Sequence, residues 1–153
     1  KVYFPKLKET GNNFLEKTNR DKDEKCAGDL FFEGKNFINA ELNSIVLAGQ
    51  KTAFFTTLAT FTIDGEPLPV SGELYILVDN QNKPLCVLEM ESVNIIPFNE
   101  VTWDMAQKEG ECSTFGEKKK KMQEYIEDEG HVLGFDYSED IKLVFQTFKV
   151  IYK

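Results

Sequence analysis

Two apolar runs, Leu74–Val78 and 85–96, flank a six-residue polar bridge, Asp79-Asn80-Gln81-Asn82-Lys83-Pro84. Asp and Asn hydrogen-bond their own backbone and tolerate turn conformations, and Pro punctuates a chain, so the bridge predicts a reversal between two consecutive antiparallel strands. Further strands are read elsewhere in the chain. The C-terminal stretch 141–152 supplies one by alternation, with Leu143, Phe145, Thr147 and Lys149 on one side and Val144, Gln146, Phe148, Val150 and Tyr152 on the other. Segment 52–63 is dense in Thr, Phe and Ala, suits a pleated surface, and is predicted as a strand ending at Asp64-Gly65.

Helical spacing appears elsewhere. From 36 to 48 the residues Phe37, Ile38, Leu42, Ile45, Val46 and Leu47 recur at helix periods, and Gly49 supplies the stop. Pro97 breaks the second strand of the hairpin. Asn99 is the expected cap of a helix anchored by Val101, Trp103 and Met105 and ended by Gly110, which puts Glu109 at a helix end. Ser113 or Thr114 caps a further helix through about residue 129, with Phe115, Met122, Tyr125 and Ile126 on its buried side and Gly130 as its end. Residues 7–18 read as an N-terminal helix and 19–25 as a charged loop. Strands joined by hairpins and helices inserted in blocks define an α+β class with a mixed or antiparallel sheet.

With 153 residues the chain is read as one domain, an extension over 1–27 and a core over 28–153. A chain of this size buries roughly two thirds of the surface its unfolded form exposes. Its thirteen Phe and five Tyr carry much of that area and leave room for an apolar contact in a homodimer. Cys26, Cys86 and Cys112 are odd in number and widely spaced, which argues against a disulfide framework and a metal site alike. No cofactor is implied. There is no apolar run long enough to span a bilayer and no signal-like start, so the expected location is the cytoplasm, without membrane association. The chain begins at Lys1 rather than Met, so an original terminus is expected ahead of it. A net charge of −8 excludes a broadly basic surface, though not a local basic cleft. The lysine run 118–121, set among Glu117, Glu124, Glu127, Asp128 and Glu129, reads as a solvated helix face with Glu-Lys pairs.

Candidate chemistry centres on Lys51, in the turn Gly49-Gln50-Lys51-Thr52, and on the downstream acidic run Glu109-Gly110-Glu111. A lysine at a helix-to-strand turn and a carboxylate at a later helix end are suited to face each other across a cleft. Each also has a plainer role: Lys51 as a surface cation favoured by a helix C-terminus, Glu109 as a solvated last-turn residue, Glu111 as a loop charge. His131, the sole histidine, falls in an expected loop with no Ser or Cys partner. Trp103 reads as core or cleft wall before base-stacking platform. Cys112 sits beside carboxylates that raise a thiol's pKa, so cysteine catalysis is discounted.

Order and spacing along most of the chain, from about Gly28, resemble the ASCH (ASC-1 homology) domain family. The matching parts are Ala40-Glu41-Leu42, Leu47-Ala48-Gly49-Gln50-Lys51-Thr52-Ala53, Pro69, Gly72, Leu74, Pro84, Ile96-Pro97-Phe98, Val101, Ala106, Glu109-Gly110-Glu111 and Phe148-Lys149-Val150. The resemblance implies a PUA-like small β-barrel with flanking helices, carrying a cleft for RNA or a nucleoside-like ligand. It also implies, for some members, hydrolysis of the amide of N4-acetylcytidine through a Gly-x-Lys-x-x-Thr motif and a downstream Glu. On this chain the lysine falls on Lys51 and the carboxylate on Glu109, but Phe54 stands where the threonine belongs. Cys112 replaces a glycine common in the nearest pattern, and lysines 118–121 occupy the region where Trp and His are expected.

A hydroxyl attacks an amide only when a base takes its proton, and a phenylalanine has none to give. Two readings therefore stand. The first is an RNA- or nucleoside-binding domain in which Glu41, Lys51, Thr52, Phe54, Trp103, Glu109 and Glu111 contact the ligand. The second is an amidohydrolase with Lys51 as base, Glu109 as proton donor, and water or a relocated threonine as nucleophile. A ribonuclease is less attractive given the acidic charge.

Overall fold

The computed structural model describes residues 26–34 and 38–152. The predicted helix at 7–18 and loop at 19–25 lie outside the described residues. Five strands, β1 (Cys26–Leu30), β2 (Ala53–Thr57), β3 (Leu74–Val78), β4 (Pro84–Pro97) and β5 (Lys142–Tyr152), form one sheet in the order β1-β3-β4-β5-β2. Among the described residues four α-helices accompany it: α1 (Asn39–Leu47), α2 (Leu58–Ile63), α3 (Trp103–Ala106) and α4 (Phe115–Leu133). The sheet is mixed, since β1 pairs with β3 in parallel while β3–β4 and β2–β5 are antiparallel. It is open, which corrects the expected small barrel. Closure requires the two end strands to meet with matching tilt and stagger. Here the end strands β1 and β2 have five residues each, and β2 gives way at Leu58 to a helix.

The described chain forms two compact units. The first holds β1, α1, β3, residues 84–91 of β4 and the last residues of β5. The predicted hairpin is its centre, with Tyr75 opposite Leu88 and Ile76 opposite Val87. Asp79 Oδ1 accepts from the backbone N–H of Gln81 (2.8 Å) and of Lys83 (2.9 Å), and Asn82 takes φ 61°, so the reversal is made by the residues that signalled it. β1 was not anticipated, because its sequence Cys-Ala-Gly-Asp-Leu neither alternates nor favours strands; pairing with β3 creates it. α1 buries Leu42 and Val46 and ends in a Schellman motif, with Gly49 N–H bonded to the Val46 carbonyl and Gln50 N–H to that of Ile45. Gly49 is needed there at φ +78°.

The second unit holds β2, α2, residues 92–97 of β4, α3, α4 and most of β5. Its core joins Ala53, Phe55, Phe98, Val101, Ala106, Met122, Ile126, Leu143 and Phe145. Phe55 and Phe145 are register partners whose rings stack at 4.6 Å. Three local expectations change. The strand expected over 52–63 stops at Thr57 and becomes α2, with the Thr57 and Thr60 hydroxyls bonded to one another at 2.9 Å. Thr102, not Asn99, caps the helix holding Trp103, its hydroxyl accepting from the Met105 N–H. α4 runs through Gly130 to Leu133 and ends at Gly134 in a left-handed conformation, which places His131 on an exposed helical position rather than in a loop. Gly130 is a close-packing position instead of a stop: a Cβ there would lie 2.5 Å from the Phe135 carbonyl oxygen.

Candidate functional site

Lys51 follows the Schellman turn of α1 and precedes β2. The backbone N–H of the next residue, Thr52, donates to the Lys108 carbonyl at 2.8 Å, tying this turn to the short 3-10 helix Gln107–Glu109. Gly110 closes that helix with φ +69°, a left-handed conformation open to glycine without a side-chain clash. The reversal brings the Glu109 and Glu111 carboxylates to the same place. Thr114 then caps α4, its hydroxyl accepting from the Glu117 N–H, and Lys118 falls in the first turns of that helix.

These four side chains close a ring of alternating charge. Lys51 Nζ lies 2.7 Å from Glu111 Oε2 and 3.5 Å from Glu109 Oε2, while Lys118 Nζ lies 2.8 Å from Glu109 Oε1 and 3.7 Å from Glu111 Oε1. Both lysines are buried, with side chains 2% and 6% exposed. Two unit charges about 4 Å apart attract by about 4 kcal/mol at an effective dielectric near 20. That is the same order as the several kcal/mol it costs to desolvate each ion. The ring therefore adds little net stability while intact, and losing one member leaves a buried charge unpaired.

The electrostatics follow from the geometry. Burial acts to raise the Glu111 carboxyl, but Lys51 and Lys118 outweigh it and hold it below its ordinary range. Burial likewise acts to lower Lys118, and Glu109 and Glu111 outweigh it, holding the ammonium above its ordinary value. Cys112 is pushed up first by burial; Lys118 and Lys121 act the other way, so the carboxylates named from sequence are a lesser cause. Tyr125 is held above its ordinary range by burial, with Glu129 and Glu109 adding to it.

Lys51 has three N–H bonds to give, and three acceptors take them: the Ala53 carbonyl at 3.1 Å, Glu109 and Glu111. An ammonium so engaged has no lone pair for a hydroxyl's proton. The candidate relocated nucleophiles are occupied elsewhere, the Thr52 hydroxyl donating to the Lys108 carbonyl (3.5 Å) and the Thr56 hydroxyl to Gln146 Oε1 (3.4 Å). Phe54 is buried on β2 opposite Gln146.

Of the residues singled out from sequence, Lys51, Glu109 and Glu111 come together, and Thr52 adjoins them through Lys108. Trp103 is half-buried at the rim of the second unit's core, against Phe115. Glu41 is exposed on α1 in the first unit and is not a member of the ring. Lys118 was missed. Reading the lysine run as a solvated face is right for Lys119 and Lys120, which are exposed, and wrong for Lys118, which is 5% exposed. The missed signal was spacing: 115, 118, 122 and 126 fall on one helical stripe, three of them apolar.

The chain belongs to the ASCH domain family, whose sequence profile matches residues 30–152. This family is generally linked to RNA binding. The fold is similar to a crystal structure of an Enterococcus faecalis V583 protein, with TM-score 0.84 and 28% identity over 97% of this chain and 90% of that one. It is equally similar to the ASCH domain of Lactobacillus crispatus JV V101, with TM-score 0.84 and 26% identity over 99% of this chain and 100% of that one. No curated protein matches the chain. Among the described residues no helix is long and apolar enough to cross a membrane.

Proposed function

We propose that this ASCH domain binds RNA or a nucleoside-like ligand and does not hydrolyse N4-acetylcytidine through Lys51. The observation that carries this reading is the full engagement of the Lys51 ammonium by Ala53, Glu109 and Glu111. A base must have a lone pair to accept a proton, and a proton donor must carry one. Glu109 is engaged on both carboxylate oxygens, Oε2 by Lys51 and Oε1 by Lys118. Phe54 removes the hydroxyl that the family's amide chemistry uses, and the two nearest threonines direct their protons to other acceptors. What the arrangement offers a ligand is the carboxylate edge of Glu111, the most exposed member of the ring at 16%, as an acceptor for N–H or O–H groups. Thr52 and Trp103 are the further contacts proposed for the ligand.

The test has two arms. Incubation with N4-acetylcytidine is expected to release no cytidine, and titration with short single-stranded RNAs and nucleosides is expected to change the fluorescence of Trp103, the sole tryptophan. Cytidine release that disappears in Lys51→Ala would overturn the non-catalytic part and favour the amidohydrolase reading. No response to millimolar nucleoside or micromolar RNA would remove the binding part.

A further inference from the structure

The lysine run 118–121 is divided by the structure into members with different work. Lys118 turns inward to Glu109 and Glu111, and Lys121 pairs with Glu117 at 3.3 Å. Lys119 and Lys120 remain exposed, and among the described residues neither stands in an ion pair. Lys119 Nζ sits 5.3 Å from the centroid of the Phe115 ring. Phe115 in turn meets Trp103, with ring centroids 6.0 Å apart and planes tilted by 38°. Both rings are half-buried at the edge of the second unit's core, so each keeps some surface towards solvent. Glu117 is engaged by Lys121, and the Asp104 carboxylate accepts from the Gln107 side-chain amide, while Glu124 follows Lys120 by one helical turn.

Two aromatic rings beside two exposed cations match a ligand that combines flat π faces with a row of negative charges. Bases stack on aromatic side chains irrespective of sequence, and lysines neutralise the phosphates between them. We infer that Trp103, Phe115, Lys119 and Lys120 form a docking platform for single-stranded RNA. This locates the RNA-binding activity proposed above, and rests on it. The aromatic pair takes a base by stacking, and Lys119 and Lys120 meet the adjoining phosphates.

The experiment is a titration of the whole chain with a labelled oligouridylate of about eight nucleotides, following anisotropy and Trp103 fluorescence at several salt concentrations. The comparison is between wild type, Lys119→Glu/Lys120→Glu, and the charge-matched control Lys83→Glu/Lys142→Glu; all four lysines of the two double variants are exposed. Binding is expected to quench Trp103. The first double variant should lose on the order of tenfold in affinity and show a salt slope shallower by about 1.4, two phosphate contacts at about 0.7 each. The control should bind as wild type does. Equal weakening of both double variants, or binding without any change at Trp103, would overturn the platform while leaving RNA binding itself in place. Equal affinity for oligothymidylate DNA, or competition by polyglutamate as effective as by unlabelled RNA, would overturn the assignment to RNA. No binding by the wild-type protein would remove both this inference and the RNA reading beneath it.

Discussion

Lys118 shows how one buried cation alters the meaning of its neighbours. Truncating it leaves the Glu109 carboxylate without its shortest partner in a site 7% exposed, so Lys118→Met is expected to cost about 2–4 kcal/mol, below the usual figure of about 3–5 for an isolated pair because Lys51 remains. Urea denaturation would measure it, and Lys118→Met combined with Glu109→Gln should recover part of the loss. Phe54→Thr restores the family's hydroxyl, yet no amide hydrolysis is expected, since the Lys51 ammonium stays engaged. It should also lower stability by about 2–4 kcal/mol through loss of a buried aromatic ring. Cytidine formation by Phe54→Thr would show that Phe54 alone had silenced the site. The residue types of this ring were legible in the sequence, and three of its members were named from the acidic run and the glycine-lysine turn. The fourth was hidden because a lysine beside three others reads as solvent-facing, and only its position on the Met122–Ile126 stripe says otherwise.

At the scale of elements, local chemistry was legible where the chain makes its own hydrogen bonds. The Asp79 turn, the Gly49 stop and the Thr114 cap are each satisfied by groups within a few residues. Thr114→Ala should therefore cost about 1 kcal/mol, readable as a lower thermal midpoint. Elements were misread where the deciding partner lies outside the element itself. Gly130 resembles a stop until Phe135 folds back against it, so Gly130→Ala is expected to destabilise by about 1–3 kcal/mol despite alanine's better helix propensity, checked by chemical denaturation. An unchanged or raised stability would mean that the Phe135 backbone yields without cost. Similarly, nothing in Cys-Ala-Gly-Asp-Leu marks β1; its strand conformation comes from parallel pairing with β3.

For the whole molecule, the charge ring couples stability to pH. Glu111 is depressed in the folded state below its ordinary 4.5, so its contribution is present above that value and is lost as pH falls through the lower folded pKa. Lys118 is raised above its ordinary 10.5, so its contribution is present below that value and is lost as pH rises through the higher folded pKa. Lys118→Met removes one of the cations that hold Glu111 down, and its acid unfolding midpoint, followed by near-UV circular dichroism, should move to higher pH than wild type. An unmoved midpoint would mean that Lys51 alone sets the Glu111 carboxyl.

The sequence by itself determined the α+β class, the hairpin, the family and the residue types at the candidate site, because periodicity, turn chemistry and motif order are properties of neighbouring residues. Tertiary structure alone decided that the sheet stays open, that Lys118 joins Glu109 and Glu111, and that Lys51 has no N–H left to give. These depend on contacts between different elements, from Lys118 reaching back seven and nine positions to Lys51 reaching forward about sixty, and a buried charge is defined by what surrounds it in space.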